Sequence, residues 1–175
     1  MKEIIVEFDM YLESIGLTFE AVIIGGAALN ILDISSRKTK DVDCLDPQIP
    51  REIKEASKQF SIERKKFLLD ADWLNNGPVS LKSDLPSGWR LRTRVLYHGK
   101  ALHLDVLGRS DLLKSKLFAY CDRMTPDFED LILLKPLSSE LYEAIDWVKD
   151  RDAHPNWSKH VEKAFFFLRK TLGYE

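Results

Sequence analysis

The stretch Val22–Asp46, VIIGGAALNILDISSRKTKDVDCLD, decides how the chain is read. It grows out of a short apolar run, Phe19 to Ile24, that stops at Gly25-Gly26, the pattern of a buried strand entering a tight turn. Ala27 to Leu32 then reads as a short helix. Lys40 to Leu45 reads as a second strand, with Val42 and Cys44 facing one way and Asp41 and Asp43 the other, because strand side chains alternate.

Upstream, Ile4, Ile5, Phe8, Tyr11, Leu12 and Ile15 recur at helical spacing before Gly16, which predicts an amphipathic helix over 4–16. Downstream, Pro50 opens a helical stretch to about Arg64. The turn clusters Asn75-Asn76-Gly77-Pro78 and Pro86-Ser87-Gly88 mark the segment 67–88, which has no clear period. Trp89–Tyr97 and Ala101–Leu107 read as a hairpin about His98-Gly99-Lys100. Leu91, Val95, Leu102, Leu104 and Val106 lie on its core face, and Arg90, Arg92, Arg94, His103 and Asp105 on the other. Helices are expected over 110–122, 126–134, 138–150 and 156–172, with Pro126, Pro136 and Pro155 at the breaks. The expected organisation is α+β: a small mixed sheet with helices over 1–108, then a helical region over 109–175 packed on it as one compact unit.

Composition narrows the function classes. The chain has 175 residues, 45% hydrophobic and 31% charged, enough apolar content for a real core. Its 26 Lys and Arg against 28 Asp and Glu leave a net charge of -2, which argues against a broadly polybasic nucleic-acid binder. Cys44 and Cys121 form no C-x-x-C pair, so neither a Cys-based zinc site nor a disulfide scaffold is expected. Acids interrupt the apolar residues of the first nine positions, unlike a signal peptide, and no run approaches the roughly 20 residues of a membrane span. A cytoplasmic protein with no membrane partner is expected.

Three carboxylates carry the chemistry. Asp41 and Asp43 leave one strand face, and Asp105 sits on a later strand between Leu104 and Val106. Acids gathered at one end of a sheet repel one another, and a hard divalent cation, Mg²⁺ or Mn²⁺, resolves the repulsion. An Asp-x-Asp alone is weak, since such acids ordinarily solvate a strand edge. Gly-Gly after an apolar strand and before the acid pair is more specific, because glycine lets backbone approach a phosphate. A hairpin turn centred on His98-Gly99 sets Arg92 opposite Asp105, and one centred on Gly99-Lys100 sets Arg94 there. Either arginine suits bidentate phosphate contact; the competing reading is a weak cross-strand ion pair. Arg37, Lys38 and Lys40 add to a local basic rim.

With LHLDVLG at 102–108, the opening stretch resembles the core of the DNA polymerase β-like nucleotidyltransferase superfamily. Arg37-x-Thr39-x-Asp41-x-Asp43 is similar to the branch that includes the AbiEii-type toxins and related uncharacterised bacterial nucleotidyltransferases. KLFAYCDRMTPDFEDL at 116–131 resembles that branch's helical motif through Lys116, Arg123, Asp127 and Asp130, with Pro126 where the branch often has a basic residue. The resemblance implies an enzyme that transfers a nucleoside monophosphate from an NTP to an acceptor hydroxyl. Gly25 and Gly26 would hold the triphosphate, with Arg37 and Thr39 joining Arg92 and Arg94 as nucleotide-binding candidates. Asp41 and Asp43 would bind Mg²⁺ or Mn²⁺, and Asp105 would complete the metal site or activate the acceptor. Lys116 would meet phosphate charge and Asp127 would line the pocket.

The acceptor stays open between RNA (a tRNA end, as in some toxin relatives), a protein and a small molecule, and a cognate antitoxin or other partner chain is implied with the toxin branch. The alternative is a non-catalytic, antitoxin-like binding or regulatory module on the same fold. A metal-dependent nuclease also uses clustered acids but leaves Gly25-Gly26 less well explained.

Overall fold

Apolar periodicity of 3.6 and 2 residues in turn builds a layer of helices and a sheet from the first 108 residues. The computed structural model describes residues 1–37, 39–77, 81–123 and 125–174. The chain divides into two compact units, Met1–Gly108 and Arg109–Glu175.

In the first unit α1 (Lys2–Ser14) leads to β1 (Phe19–Ile24), α2 (Gly25–Ile31), β2 (Val42–Asp46), α3 (Arg51–Glu63), β3 (Leu74–Asn75), α4 (Leu81–Asp84), β4 (Arg94–His98) and β5 (Leu102–Val106). Among the described residues the strands form one five-stranded sheet in the order β3-β2-β1-β5-β4. It is mixed: β1 pairs antiparallel with β2 and parallel with β5, while β2–β3 is parallel and β4–β5 antiparallel. The fold is α+β, as expected.

One sheet face is the core. Val42, Cys44, Ile23, Leu102 and Leu104 are almost fully buried there with Phe8 and Leu12 of α1 and Phe60 of α3. Phe8 meets Phe60 and Trp73 edge-on, with centroids 5.2 and 5.1 Å apart. Such aromatic pairs add about 0.5–1.5 kcal/mol each beyond area burial. Asp9, one residue past Phe8, is 6% exposed and pins the β4–β5 turn. Its carboxylate accepts from the backbone N–H of Ala101 (2.8 Å), Leu102 (2.7 Å) and Lys100 (3.3 Å), and from the Tyr97 hydroxyl (3.1 Å).

The hairpin departs from expectation. Trp89–Arg92 wind into a 3₁₀ turn, so the strand begins only at Arg94. Leu91 and Val95, expected on the core face, are 93% and 70% exposed. A bulge between Val95 and Tyr97 resets the alternation, and Leu96 and Tyr97 pack against the core instead.

The second unit is helical: α5 (Arg109–Arg123), α6 (Asp127–Leu134), α7 (Ser138–Lys149) and α8 (Trp157–Thr171). Leu117, Tyr120, Leu131, Leu141, Val148, Val161 and Leu168 are buried within it. Trp157 packs against Phe118 with centroids 5.9 Å apart, so it serves helix packing.

Candidate active site

The sheet face away from the aromatic core carries the acids. On β1 the partners of this face are Val22 and Ile24: Ile24 stands opposite Asp43, and Val22 lies between Asp46 on β2 and Asp105 on β5. A bulge between Val22 and Ile23 makes this possible, because it turns Asp43 and Asp46, three apart, toward one face. Strict alternation would send them to opposite faces, so Asp46 escaped the sequence reading.

Gly25 follows β1 directly with φ +77°, and a Cβ there would overlap Asp43 Oδ2. Gly77 approaches the same carboxylate from the β3 side, where a Cβ would lie 2.8 Å from Oδ1. Asn76 anchors that loop, donating to the Cys44 and Pro47 carbonyls and accepting from the Ile49 N–H. The next residue, Gly26, faces Arg37 and Thr39: a Cβ would lie 3.0 Å from an Arg37 guanidinium nitrogen and 3.6 Å from Thr39 Cβ. Thr39 Oγ1 donates to Asp41 Oδ1 at 2.5 Å. Gly25, Gly26, Arg37, Thr39, Asp41 and Asp43 are thus linked by contact, while Lys38 lies outside the described residues.

Asp105 accepts from Thr93 Oγ1 at 3.2 Å. The residue opposite it on β4 is Val95, so neither expected arginine pairing holds. The 3₁₀ turn takes Arg92 out of the strand, where it donates to the Pro86 and Ser87 carbonyls at 3.3 and 3.0 Å; Arg94 stands opposite Val106. Arg90 Nε donates to Asp46 Oδ2 at 2.9 Å, and Lys82 Nζ donates to Asp46 Oδ1. Burial raises the Asp46 pKa, but these two cations outweigh it and hold the carboxyl below its ordinary value. Lys82 comes from the segment whose sequence shows no period, so no periodic signal pointed to it.

Lys116 and Asp127 meet each other inside the helical unit. Lys116 Nζ lies 2.9 Å from Asp127 Oδ1 and 2.6 Å from Asp130 Oδ2, with all three side chains 7% exposed or less. Arg123 Nε adds a 3.0 Å bond to Asp127 Oδ2. In the Lys–Arg–Asp–Asp motif read from sequence, Lys116, Asp127 and Asp130 are thus a buried ion cluster and Arg123 an exposed arm of it, so that the Lys116 charge is answered by carboxylates of the same unit. Cys44 is a buried strand residue, its thiol pushed up by burial to about 12, which suits packing and not nucleophilic attack.

A family model described as nucleotidyltransferase of unknown function (DUF6036) matches residues 1–162. The chain belongs to this family. Comparison with curated proteins and with solved structures gives no match. Membership of the DUF6036 family supports nucleotidyl transfer as the general activity and an NTP as substrate. Among the described residues no helix is long and apolar enough to cross a membrane.

The donor chemistry of the DUF6036 site suits a hard divalent cation, since Asp41, Asp43 and Asp105 offer only carboxylate oxygens. The bare Cα of Gly25 and of Gly77 leaves the Asp43 carboxylate room. As the side chains stand, no three His, Cys, Asp or Glu groups among the described residues converge on one metal position.

Proposed function

We propose that this chain transfers a nucleoside monophosphate from an NTP to an acceptor hydroxyl on the open sheet face of the first unit, releasing pyrophosphate. The Gly25–Asp43 contact carries the reading: a left-handed glycine turn lies directly against a strand carboxylate, bringing a bare backbone and an acid to the same point. Gly25 and Gly26, with Arg37 and Thr39 beside them, are the proposed triphosphate contacts. Thr39 orients Asp41, and Thr93 orients Asp105, which takes the proton of the acceptor hydroxyl. Asp41, Asp43 and Asp105 would hold Mg²⁺ or Mn²⁺, which when bound would stabilise negative charge at the α-phosphate.

The likeness of Arg37-x-Thr39-x-Asp41-x-Asp43 to AbiEii-type toxins supports RNA, including a tRNA end, as the first acceptor to test, ahead of a protein or a small molecule. It also supports a cognate antitoxin as partner. Two free, buried cysteines are in keeping with a cytoplasmic setting.

Incubation with each labelled NTP, Mg²⁺ and total lysate tests the reading. One class of macromolecule or metabolite becomes labelled, and Asp43→Ala abolishes the label. Full labelling by that variant would remove the site from the reaction.

Pro126, standing where the toxin branch often has a basic residue, supports a second reading, a non-catalytic binding or regulatory module. Calorimetry separates the two: NTP binding that strengthens with Mg²⁺ supports the enzyme, and metal-independent or absent binding supports the module.

A further inference from the structure

We propose that Lys82 and Arg90 form an anion clamp for the polyphosphate of the nucleotide, with Asp46 as the internal counterion that holds them when no nucleotide is bound. This rests on the nucleotidyl-transfer reading and names substrate contacts absent from it. Asp46 lies at the end of β2 in the same row as Asp105, the two flanking Val22 across the open face. Two strand spacings put their backbones roughly 10 Å apart. Along this row runs an open groove of ≈ 360 Å³ lined by Glu20, Val22, Asp46, Pro47, His103 and Asp105, and Lys82 and Arg90 stand at its edge through the Asp46 carboxylate they share. That volume is in the usual range for small-molecule sites.

Both cations sit on Asp46 and both are partly exposed, Lys82 at 37% and Arg90 at 54% against 20% for the carboxylate. One carboxylate neutralises only one of them, so the cluster carries a net positive charge on a face whose other charged strand residues include Asp43 and Asp105. Arg90 is further organised by Trp89, over whose ring its guanidinium lies 4.5 Å from the centroid. Trp89 itself is buried. The ring thus holds the face of the guanidinium and leaves its in-plane donors at the edge, a geometry that suits phosphate oxygens as well as the carboxylate. The 3₁₀ turn that takes Arg90 out of the strand is what aims it at Asp46 rather than along β4.

Inorganic tripolyphosphate without metal is the probe, titrated into the full chain at low salt and followed by calorimetry. Lys82→Gln and Arg90→Gln are each expected to weaken binding about tenfold, the size of one lost charge-assisted bond. Asp46→Asn is expected to tighten it, since the cations are released from their internal partner. Thermal melting of each variant confirms that the fold persists, and Arg90→Lys covers the case of an unfolded glutamine variant by giving intermediate affinity.

Tripolyphosphate binding equal to wild type in folded Lys82→Gln and Arg90→Gln overturns the clamp. Weaker binding in folded Asp46→Asn overturns the counterion role. NTP transfer by the full chain, measured beside tripolyphosphate binding, distinguishes the two levels. If no NTP is ever transferred yet the clamp variants lose tripolyphosphate, the anion site stands and the transfer reading falls. If transfer occurs and the clamp variants bind and react normally, only the clamp falls.

Discussion

Gly25 and Asp43 occupy a space that holds only one side chain. The glycine's φ of +77° and the overlap a Cβ would make with Asp43 Oδ2 exclude every other residue on two separate grounds. Gly25→Ala is expected to destabilise the fold by about 1–3 kcal/mol, the cost of a left-handed non-glycine residue, and to displace the Asp43 carboxylate. Urea unfolding measures the first effect, and NTP incorporation the second. Gly77→Ala, which meets the same carboxylate, is expected to lower incorporation as well.

Asp43→Ala tests the acid itself. Thermal melting of the variant, run beside the activity assay, confirms that the fold persists. NTP incorporation should fall roughly 100-fold or more, equivalent to ~3 kcal/mol of transition-state stabilisation. Unchanged incorporation by a folded Asp43→Ala protein would count against the open-face site.

Asp9 links stability to pH. Burial raises its pKa, but the hydrogen bonds from Ala101, Leu102, Lys100 and Tyr97 outweigh burial and leave it below the ordinary value of 3.8. Because the folded pKa is the lower one, its stabilisation is fully present above the unfolded pKa and is lost as pH falls through the folded pKa. Melting temperatures of wild type and Asp9→Asn, measured from pH 7 downward, should differ most near neutrality, begin to approach each other near about pH 4 and converge only as pH falls through the lowered folded pKa. At neutral pH the variant should lose ~2–4 kcal/mol, because three backbone donors lose an ionised acceptor.

Lys116→Met removes the shared cation of two buried carboxylates. Leaving Asp127 and Asp130 without it is expected to cost about 3–5 kcal/mol. Arg123→Ala should cost about 1 kcal/mol or less, since that side chain is largely exposed. Equal losses in chemical denaturation would contradict the network's arrangement around Lys116.

Cys44 and Cys121 are both buried, and burial raises each thiol to about 12. Neither should react with a thiol reagent at pH 8 in the folded protein, and both should react in denaturant. Fast labelling of the folded chain would show that one of these positions opens.

Much of the fold was legible because its signals are local. The helices α1 and α3, the strand β1, the Gly25 turn and the four C-terminal helices follow from apolar spacing and breaker residues within a few positions. Asp43 was legible as a candidate because Val42 and Cys44 had to face the core. Alternating Arg and apolar residues make Trp89–Arg92 read as a strand, yet the buried Trp89 and the carbonyl bonds of Arg92 favour a 3₁₀ turn. The pairing of Lys116 with Asp127 and Asp130 depends on how α5 and α6 pack, which residue spacing alone does not encode.

The sequence by itself determined the apolar strand, the glycine turn, the alternation around Asp43 and the helical character of the second half, since each depends on neighbours along the chain. Only the tertiary structure decided that a bulge at Val22/Ile23 turns Asp46 to the face of Asp43 and Asp105, that Gly77 reaches Asp43, and that Lys82 and Arg90 converge on one carboxylate. The physical reason is that a bulge and a strand register depend on hydrogen bonds to a partner strand and on packing beneath it, contacts between residues far apart in the chain that hydrophobic periodicity does not encode.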